Sequence, residues 1–334
     1  MPRTDTLAEC DWRPGADLET LKLRASLMAR ARAFFAARDV LEVDTPILSC
    51  AAATDPAIDS FATAYQGAGG AAGQPLYLHS SPEFCMKRLL AAGCGPIFQL
   101  SHVFRNGESG RRHNPEFMLL EWYRPGFGPD ALMDEVDELL AQLLAGYLDY
   151  RPAKRVTYRQ WFIDETGLDP WRDTPAAFRS FAAANLASVP ENMPDDERDP
   201  WLYLLLTHWL EPRLDADALF VHDYPASQAS LARIRHQPLP VAERFELYLR
   251  GVELANGFHE LGDSREQAQR FAHDNSLRQA AGQAPMPPDQ RLIAALGHGL
   301  PDSSGVALGF DRLVMLAAGL TDIDSAMPFS LQRS

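Results

Sequence analysis

Apolar residues recur at three- and four-residue steps in several parts of the chain, and this spacing predicts amphipathic helices. The longest predicted helix covers residues 17–38, with Asp17 as its N-cap. Further helices are predicted over residues 130–146, 176–187, 199–214, 265–281 and 288–298. Asp199 and Pro200 fit the cap and the first turn of the helix that begins there.

Stretches rich in β-branched and aromatic residues predict strands between these helices. Residues 97–105 and 116–124 enclose a polar loop with two glycines and a proline, which predicts an antiparallel hairpin. Further strands are predicted in residues 40–48, 219–225 and 244–261, and at the start of residues 305–316 before a closing helix. Hairpins interleaved with helices, without regular strand–helix alternation, indicate an α+β fold with an antiparallel sheet.

The sequences of two connecting segments also predict local structure. Residues 63–75 are rich in Gly and Ala, which predicts a flexible loop with little to pack. The next segment predicts a short strand and a helix, whose start carries Ser80 with Glu83 three residues later, as in a capping box. Gly93 is expected to end that helix.

A length of 334 residues and an apolar content of 46% are typical of a globular protein with one large domain or two. No apolar run is long enough for a transmembrane helix, and the acidic N-terminal segment does not resemble a signal peptide. We therefore expect a cytoplasmic protein with no membrane partner. Its four cysteines, Cys10, Cys50, Cys85 and Cys94, lack zinc-site spacing and are predicted to be buried thiols.

The net charge of −14 results from 45 acidic and 31 basic residues, and it opposes the attraction on which nucleic-acid binders depend. A broad tRNA or DNA surface is therefore disfavoured, although a local basic patch is not. The predicted hairpin loop carries such a patch, formed by Arg105, Glu108, Arg111, Arg112, His113 and Asn114. Guanidinium groups bind phosphate oxygens in pairs, so this loop could hold a nucleotide triphosphate, whereas charge content alone favours a solvated turn.

Two carboxylates, Glu253 and Glu260, bracket an Asn-Gly pair within a predicted strand. Residues seven apart on a regular strand face opposite sides, but a bulge at Asn256-Gly257 would bring both carboxylates to one side. There they could share Mg²⁺ or hold an ammonium group, or the segment is a turn with exposed acids. Arg312 falls in the first turn of the closing helix, where it either favours phosphate or is a surface arginine.

Three ordered segments, residues 34–48, 104–123 and 305–316, resemble motifs 1, 2 and 3 of the class II aminoacyl-tRNA synthetases. Residues 253–261, with the sequence ELANGFHEL, resemble the lysyl branch of that family. The resemblance extends from about residue 20 to residue 325. It implies a single catalytic domain over residues 1–334, an antiparallel sheet flanked by helices, and a homodimer formed through motif 1.

Lysyl-tRNA synthetases carry an anticodon-binding barrel before motif 1, whereas about twenty residues precede the first predicted helix here. The expectation is a paralogue that lacks this domain and does not bind tRNA stably. Such paralogues activate (R)-β-lysine with ATP as an adenylate and transfer it to a lysine side chain of translation elongation factor P. The alternatives are a truncated lysyl-tRNA ligase and a non-catalytic regulatory paralogue, and the retained motif arginines disfavour the second.

The resemblance also implies roles for individual residues. Arg105 and Arg312 would be the catalytic cations, on the α- and γ-phosphates. The implied ATP-binding residues are Arg105, Asn106, Glu108, His113, Asn114, Phe117, Glu253, Leu254, Gly309 and Arg312, with Phe117 stacking on adenine. The implied amino-acid-binding residues are Ser81, Glu83, Glu121, Tyr123, Asn256, Phe258, Glu260 and Ala307. Mg²⁺ would be coordinated by Glu253 and Glu260.

Two positions depart from the family pattern. Arg105-Asn106 is followed by Gly107 where the synthetases have glutamate, and Glu108 could replace that glutamate only if the loop shifts. Ala307 stands where lysyl-tRNA synthetases usually have glycine. We predict that its methyl group trims the pocket against α-lysine and favours the β-isomer.

Overall fold

The structure is a computed structural model that describes residues 12–67 and 73–334. Its helices are α1 (Leu18–Ala36), α2 (Glu83–Ala91), α3 (Pro129–Leu144), α4 (Tyr158–Thr166), α5 (Pro175–Asn185), α6 (Asp199–Leu205), α7 (Ser264–Ala280), α8 (Gln290–His298) and α9 (Phe310–Ala317). Its strands are β1 (Leu41–Glu42), β2 (Leu48–Ser49), β3 (Ala62–Tyr65), β4 (Gln74–Leu78), β5 (Ile97–Phe104), β6 (Glu116–Pro125), β7 (Lys154–Thr157), β8 (Ala218–Pro225), β9 (Ile234–Arg235), β10 (Val241–Leu249), β11 (Val252–His259) and β12 (Ser303–Gly309).

A nine-stranded sheet is the main structural element of the described residues. Eight of its strands follow the order β1-β5-β6-β12-β11-β10-β8-β7, and β9 also pairs with β10. The two outermost pairs, β1 with β5 and β7 with β8, are parallel, whereas the other pairs are antiparallel. Three short antiparallel strands form a second sheet in the order β2-β4-β3. This largely antiparallel arrangement with flanking helices confirms the predicted fold class.

The main hydrophobic cluster lies between the large sheet and helices α1, α3 and α9. Phe35 of α1 stacks on Phe98 of β5 with ring centroids 4.5 Å apart. Along β6, Met118 and Leu120 belong to this cluster, while alternate residues such as Phe117 point to the other face of the sheet. That second face is where the residues predicted to bind substrates come together. A separate cluster packs α4, α5 and α6 against β8 and β10.

Several sequence predictions are confirmed by these elements. Helix α1 begins where expected, because the Asp17 side chain accepts a hydrogen bond of 2.8 Å from the backbone N–H of Thr20. Strands β5 and β6 form the predicted antiparallel hairpin, in register from Ile97 opposite Tyr123 to Phe104 opposite Glu116. The helices predicted over residues 130–146, 176–187, 265–281 and 288–298 correspond to α3, α5, α7 and α8.

Other local predictions were wrong. Ser80 does not cap α2, because the helix begins at Glu83 and the hydroxyl of Ser81 accepts the Glu83 backbone N–H at 3.0 Å. Asp199 is the first helical residue of α6 rather than its cap, and its side chain instead accepts hydrogen bonds from Ser227 and Gln228. Residues 199–214 do not form one α-helix: α6 is followed by a π-helical turn over 206–210 and a 3₁₀ turn over 211–213.

The predictions for the segments around β2, β3 and β4 also need correction. Residues 40–48 do not form one strand, since they contribute only to the two-residue strands β1 and β2. The predicted flexible loop at 63–75 contains most of β3 and the start of β4, while residues 68–72 lie outside the described part of the chain. Backbone hydrogen bonds between the antiparallel strands β3 and β4 order this segment, although Gly and Ala side chains offer little to pack.

The cysteines are not buried as predicted. Cys50 and Cys94 are exposed and Cys85 is half-buried, all as free thiols, and Cys10 lies outside the described residues. The prediction was made from the lack of zinc-site or disulfide spacing, which does not determine burial, and the loops that carry Cys50 and Cys94 lie at the surface. Within residues 12–67 and 73–334, no helix has both the length and the apolar character needed to cross a membrane.

Candidate functional site

A cavity of about 250 Å³ lies on the face of the sheet to which Phe117 points. We call it the arginine cavity. It is lined by Arg105, Glu108, Arg112, His113, Asn114, Phe117, Leu119, Glu253, Leu254, Ala255, Asn256, Ala307, Gly309, Asp311, Arg312 and Ile323. These residues come from β6, β11, β12, the β5–β6 loop and the start of α9, so segments distant in sequence converge. Of the predicted ATP-binding residues, Asn106 does not line it, and its backbone N–H donates to the carbonyl of Asp59 at 2.8 Å.

Arg105 stands at the end of β5 with its guanidinium over the Phe117 ring, 5.2 Å from the ring centroid. Its Nη1 lies 3.5 Å from Oε1 of Glu108. Its Nε is buried and has no hydrogen-bond partner among the described residues. A buried guanidinium donor without a partner is costly unless a ligand completes it, which fits an anionic group such as a phosphate.

Arg312 lies in the first turn of α9 and also lines the cavity. Its Nη1 donates to the backbone carbonyl of Glu253 at 2.7 Å and lies 3.4 Å from that residue's carboxylate. Its Nη2 lies 2.8 Å from Nε2 of His113. Burial, followed by the charge of Arg312, lowers the pKa of His113, so this ring is neutral near pH 7 and can accept that hydrogen bond. Arg312 thereby links the β5–β6 loop to β11.

Hydrogen bonds of its side chain hold Asn114 at the cavity, whereas a turn of the backbone at Gly107 brings Glu108 there. The Asn114 amide donates to the carbonyl of Glu116 at 2.6 Å and accepts from the backbone N–H of Leu331 at 3.1 Å. Its side chain therefore anchors the loop to the C-terminal segment. Glu108 reaches the cavity although it is one position late in the sequence, because Gly107 adopts a positive φ of 84° that turns the loop.

The strand that carries Glu253 and Glu260 contains a bulge, but not at the predicted position. Leu247 pairs with Ala255 and Tyr248 pairs with Glu253, so the extra residue is Leu254. The ladder is regular on both sides of Asn256-Gly257. Only glycine fits at position 257, because a Cβ on Gly257 would lie 2.3 Å from Cζ of Phe245.

The prediction that Glu253 and Glu260 share one Mg²⁺ does not fit the structure. Seven residues of strand place their Cα atoms roughly 20 Å apart, too far to ligate one ion. Glu253 lines the arginine cavity, whereas the Glu260 side chain contacts Lys87 outside it. The sequence could not show this separation, because both acids suit a metal equally well by residue type.

A different acid lies beside Glu253. Burial, followed by repulsion from Glu246 on β10, raises the pKa of Glu253. Within the described residues no group of three or more His, Cys, Asp or Glu side chains could hold a metal on its own. Mg²⁺ commonly uses one or two carboxylates together with substrate phosphates, and Glu253 can supply one of them. Glu246 is engaged elsewhere, because its carboxylate pairs with the Arg244 guanidinium and accepts hydrogen bonds from the hydroxyls of Tyr224 and Tyr248 at 2.6 and 2.7 Å.

A second group of polar side chains lies further along β6 and β11, and we call it the carboxylate pocket. It consists of Ser81, Glu83, Lys87, Glu121, Tyr123 and Glu260. Glu121 accepts hydrogen bonds of 2.8 Å from the Ser81 hydroxyl and 2.7 Å from the Tyr123 hydroxyl. Ser81 and Tyr123 therefore both contact Glu121. Glu83 joins them through its backbone N–H, which donates to the Ser81 hydroxyl. All four are predicted amino-acid-binding residues.

Lys87 is the member of this pocket that sequence reasoning missed. Its Nζ lies 2.6 Å from Oε1 of Glu83 and 2.6 Å from Oε2 of Glu260, and its side chain is 1% exposed. The spacing of Glu83 and Lys87, four residues apart at the start of a helix, could have indicated a pair. It could not have indicated the third partner, which comes from the other end of the chain.

Of the remaining predicted amino-acid-binding residues, two line the arginine cavity and the third packs outside both sites. Asn256 and Ala307 line the arginine cavity, and Ala307 pairs with Asn256 on one side and with Glu121 on the other. The two sites therefore adjoin along β12. Phe258 packs against the cluster of α4, α5 and α6. Gly305 borders the carboxylate pocket, since a Cβ there would lie 2.5 Å from Oε1 of Glu260.

The electrostatics of the carboxylate pocket follow from burial of like charges. Burial, followed by repulsion from Glu83, raises the pKa of Glu121 to about 7. Burial also raises the pKa of Glu260, although Lys87 opposes the shift. Burial and the neighbouring carboxylates raise the pKa of Tyr123 well above its ordinary value, so its hydroxyl stays a hydrogen-bond donor. Three carboxylates with one lysine form a site suited to a ligand ammonium group.

The chain is similar to known proteins over nearly its whole length. The family model of tRNA synthetases class II (D, K and N) matches residues 10–333. The elongation factor P--(R)-beta-lysine ligase of Salmonella typhi is 49% identical over 325 residues, covering 97% of this chain and 98% of that protein. The ligase of the same name from Edwardsiella ictaluri (strain 93-146) is 50% identical over the same shares. The chain belongs to the class II tRNA synthetase (D, K and N) family.

Proposed function

We propose that this protein is an ATP-dependent, AMP-forming ligase that activates (R)-β-lysine and transfers it to a lysine side chain of translation elongation factor P. The observation that carries the proposal is the contact along β12 between a cavity lined by three arginines and a pocket with three carboxylates. The similarity to ligases named for this reaction, over nearly the whole chain, supports the choice of substrate.

In the first step, a carboxylate oxygen of β-lysine attacks the α-phosphorus of ATP and pyrophosphate leaves. In the second, the neutral amine of the acceptor lysine attacks the carbonyl carbon of the mixed anhydride, an amide forms and AMP leaves. Arg105 and Arg312, which both line the arginine cavity, face the phosphates and stabilise the charge that develops on them. Because both reactants are held in adjoining sites, alignment supplies a large part of the acceleration.

The carboxylate pocket holds the ammonium groups of the amino acid. Glu121 and Glu260 accept hydrogen bonds from them, while the hydroxyl of Tyr123 and that of Ser81 orient Glu121. The carboxylate of the amino acid then points along β12 toward Arg105. When bound, Mg²⁺ would supply positive charge on the phosphates, with Glu253 as a protein ligand in the arginine cavity.

Three features of the whole protein complete the proposal. Leu41, Ile47 and Leu48, in the segment that resembles motif 1, are exposed apolar side chains, which suits a homodimer interface there. The net charge of −14 disfavours stable tRNA binding. We place the reaction in the cytoplasm, where elongation factor P acts in translation.

Intact-mass measurement of elongation factor P after incubation with this protein, ATP and (R)-β-lysine tests the proposal. We expect the mass to rise by one lysyl residue with β-lysine and much less with α-lysine, and not to rise without ATP. The alternative, a truncated lysyl-tRNA ligase, predicts acylated tRNA and unmodified elongation factor P. A regulatory paralogue predicts no ATP–pyrophosphate exchange with either isomer.

A further inference from the structure

Lys87 is a buried cation at the place where the proposed substrate's own cations must bind. Its side chain and that of Glu260 are each 1% exposed, and Glu83 is 13% exposed. Burial lowers the pKa of Lys87, but the charges of Glu260 and Glu83 outweigh burial and raise it overall. The amine is therefore protonated across the whole range in which enzymes work, and it cannot compete as a nucleophile for an adenylate.

The two elements that Lys87 joins have no other ion pair in the pocket among the described residues. Glu83 stands at the start of α2, and Glu260 follows the end of β11. Oε1 of Glu260 has no hydrogen-bond partner among the described residues, and it faces Gly305, where no side chain intervenes. Lys87 thus occupies one oxygen of Glu260 and leaves the other for a ligand.

The charge balance of the pocket gives this arrangement a function. Glu83, Glu121 and Glu260 contribute three negative charges when ionised, and Lys87 contributes one positive charge. Two negative charges remain. A β-lysine molecule brings two ammonium groups, so a pocket with Lys87 is neutralised by the substrate, whereas a pocket without it would keep a buried charge that is costly to hold.

We propose that Lys87 is a positioning residue for the amino-acid substrate: it holds Glu83 and Glu260 in place and sets the pocket charge to match a substrate with two ammonium groups. This inference rests on the proposed function for the identity of that substrate. The charged and titratable groups that face Lys87 are Glu83 on its own helix, Glu260 after β11, and Glu121 and Tyr123 on β6.

The substitution Lys87→Met tests the proposal, because methionine keeps most of the side-chain volume and removes the charge. Without the cation, the pKa values of Glu260 and Glu121 rise, since Lys87 lowers both. The ionised carboxylates that bind ammonium then form only at higher pH. We expect the acid limb of kcat/KM for β-lysine in ATP–pyrophosphate exchange to move up by one pH unit or more, with the KM for ATP unchanged.

Lys87→Arg keeps the charge and should leave the acid limb at the pH of the unaltered enzyme, although KM will rise. Lys154→Met is the matched control, since Lys154 is exposed on β7, far from the pocket in the sheet order. If Lys87→Met does not fold, Lys87→Gln provides a polar side chain of similar length. A merely structural role predicts a lower kcat/KM at every pH with no displacement of the limb, and that result would overturn the inference.

The failure of the proposed function is distinguishable from the failure of this inference. If the unaltered enzyme supports no exchange with β-lysine, the proposed function is wrong. If it does, and the acid limb of Lys87→Met coincides with that of the unaltered enzyme, the inference about Lys87 is wrong.

Discussion

The Asp311 carboxylate accepts a hydrogen bond of 2.7 Å from the backbone N–H of Met118 and also pairs with the Arg24 guanidinium. This one side chain, 2% exposed, connects the start of α9 to β6 and to α1. Because the next residue is Arg312, the contact fixes where that guanidinium enters the arginine cavity. The position of Arg312, a proposed catalytic cation, therefore depends on the buried ion pair between Asp311 and Arg24, neither of which is proposed to bind phosphate.

The first prediction concerns the stability of that pair. We expect Asp311→Ala to lower the free energy of unfolding by about 3–5 kcal/mol, because it leaves the buried Arg24 charge without its partner. Urea unfolding followed by circular dichroism measures the change. Lys22→Ala is the control: its pair with Glu19 is exposed, so its loss should cost less than about 1 kcal/mol. Equal effects of the two substitutions would contradict this account.

A second prediction concerns catalysis by Arg105. Arg105→Ala should slow ATP–pyrophosphate exchange by about 10²–10³-fold, on the scale of removing one preorganised charge donor. Arg111 is the matched control, since it belongs to the same loop but donates to the carbonyl of Thr321 at 2.8 Å instead of lining the cavity. Arg111→Ala should keep most of the activity. An Arg105→Ala protein that exchanges pyrophosphate normally would refute the assigned role.

The third prediction is a pH dependence of β-lysine use. The pKa of Glu121 is raised to about 7, so this carboxyl is protonated below that pH in the substrate-free pocket. A protonated carboxyl attracts an ammonium group less than a carboxylate does, so kcat/KM for β-lysine should rise with pH through about 7 and then level off. Calorimetry in buffers of different ionisation enthalpy should detect proton release on binding. A flat profile from pH 5.5 to 8.5 would exclude Glu121 as an ammonium ligand.

Gly305 provides a steric test of the carboxylate pocket. A Cβ at this position would lie 2.3 Å from Cε1 of Tyr123 and 2.5 Å from Oε1 of Glu260, so one of these side chains must move. Gly305→Ala should raise the KM for β-lysine by about 10-fold or more and leave the KM for ATP nearly unchanged. Gly262→Ala is the control, because a Cβ there would meet its nearest atom at 4.0 Å. Equal effects on both KM values would argue against a separate amino-acid pocket.

The sequence predicted the hairpin and the convergence of its loop with α9, because turn residues and motif order are local and specific. It placed the metal pair wrongly for a physical reason. Residue type and spacing could not show that the bulge lies at Leu254, or that Glu253 and Glu260 belong to different sites. Lys87 was missed because its two partners lie on elements separated by most of the chain.

The spacing of apolar residues also failed to predict local structure where contacts between distant parts of the chain determine it. The run 199–214 has helical spacing throughout, yet it changes to a π-helical turn at Leu206, where Leu206 and Leu210 both enter the second hydrophobic cluster. Cys50 and Cys94 are apolar by type but lie in turns that expose them. In each case the local structure depends on interactions with residues that are distant in sequence.

The last prediction addresses the choice between isomers of lysine. Ala307 lies between Asn256 and Glu121 in the sheet and lines the arginine cavity, so its methyl group stands where the two sites adjoin. An α-lysine and a β-lysine differ in the distance from the carboxylate to the nearer ammonium group, and a methyl group at this border restricts that part of the substrate. Ala307→Gly should therefore improve adenylate formation with α-lysine relative to β-lysine by roughly 10-fold, the scale of one methyl group in a pocket. ATP–pyrophosphate exchange measured with each isomer gives the ratio, and an unchanged ratio would discard the idea.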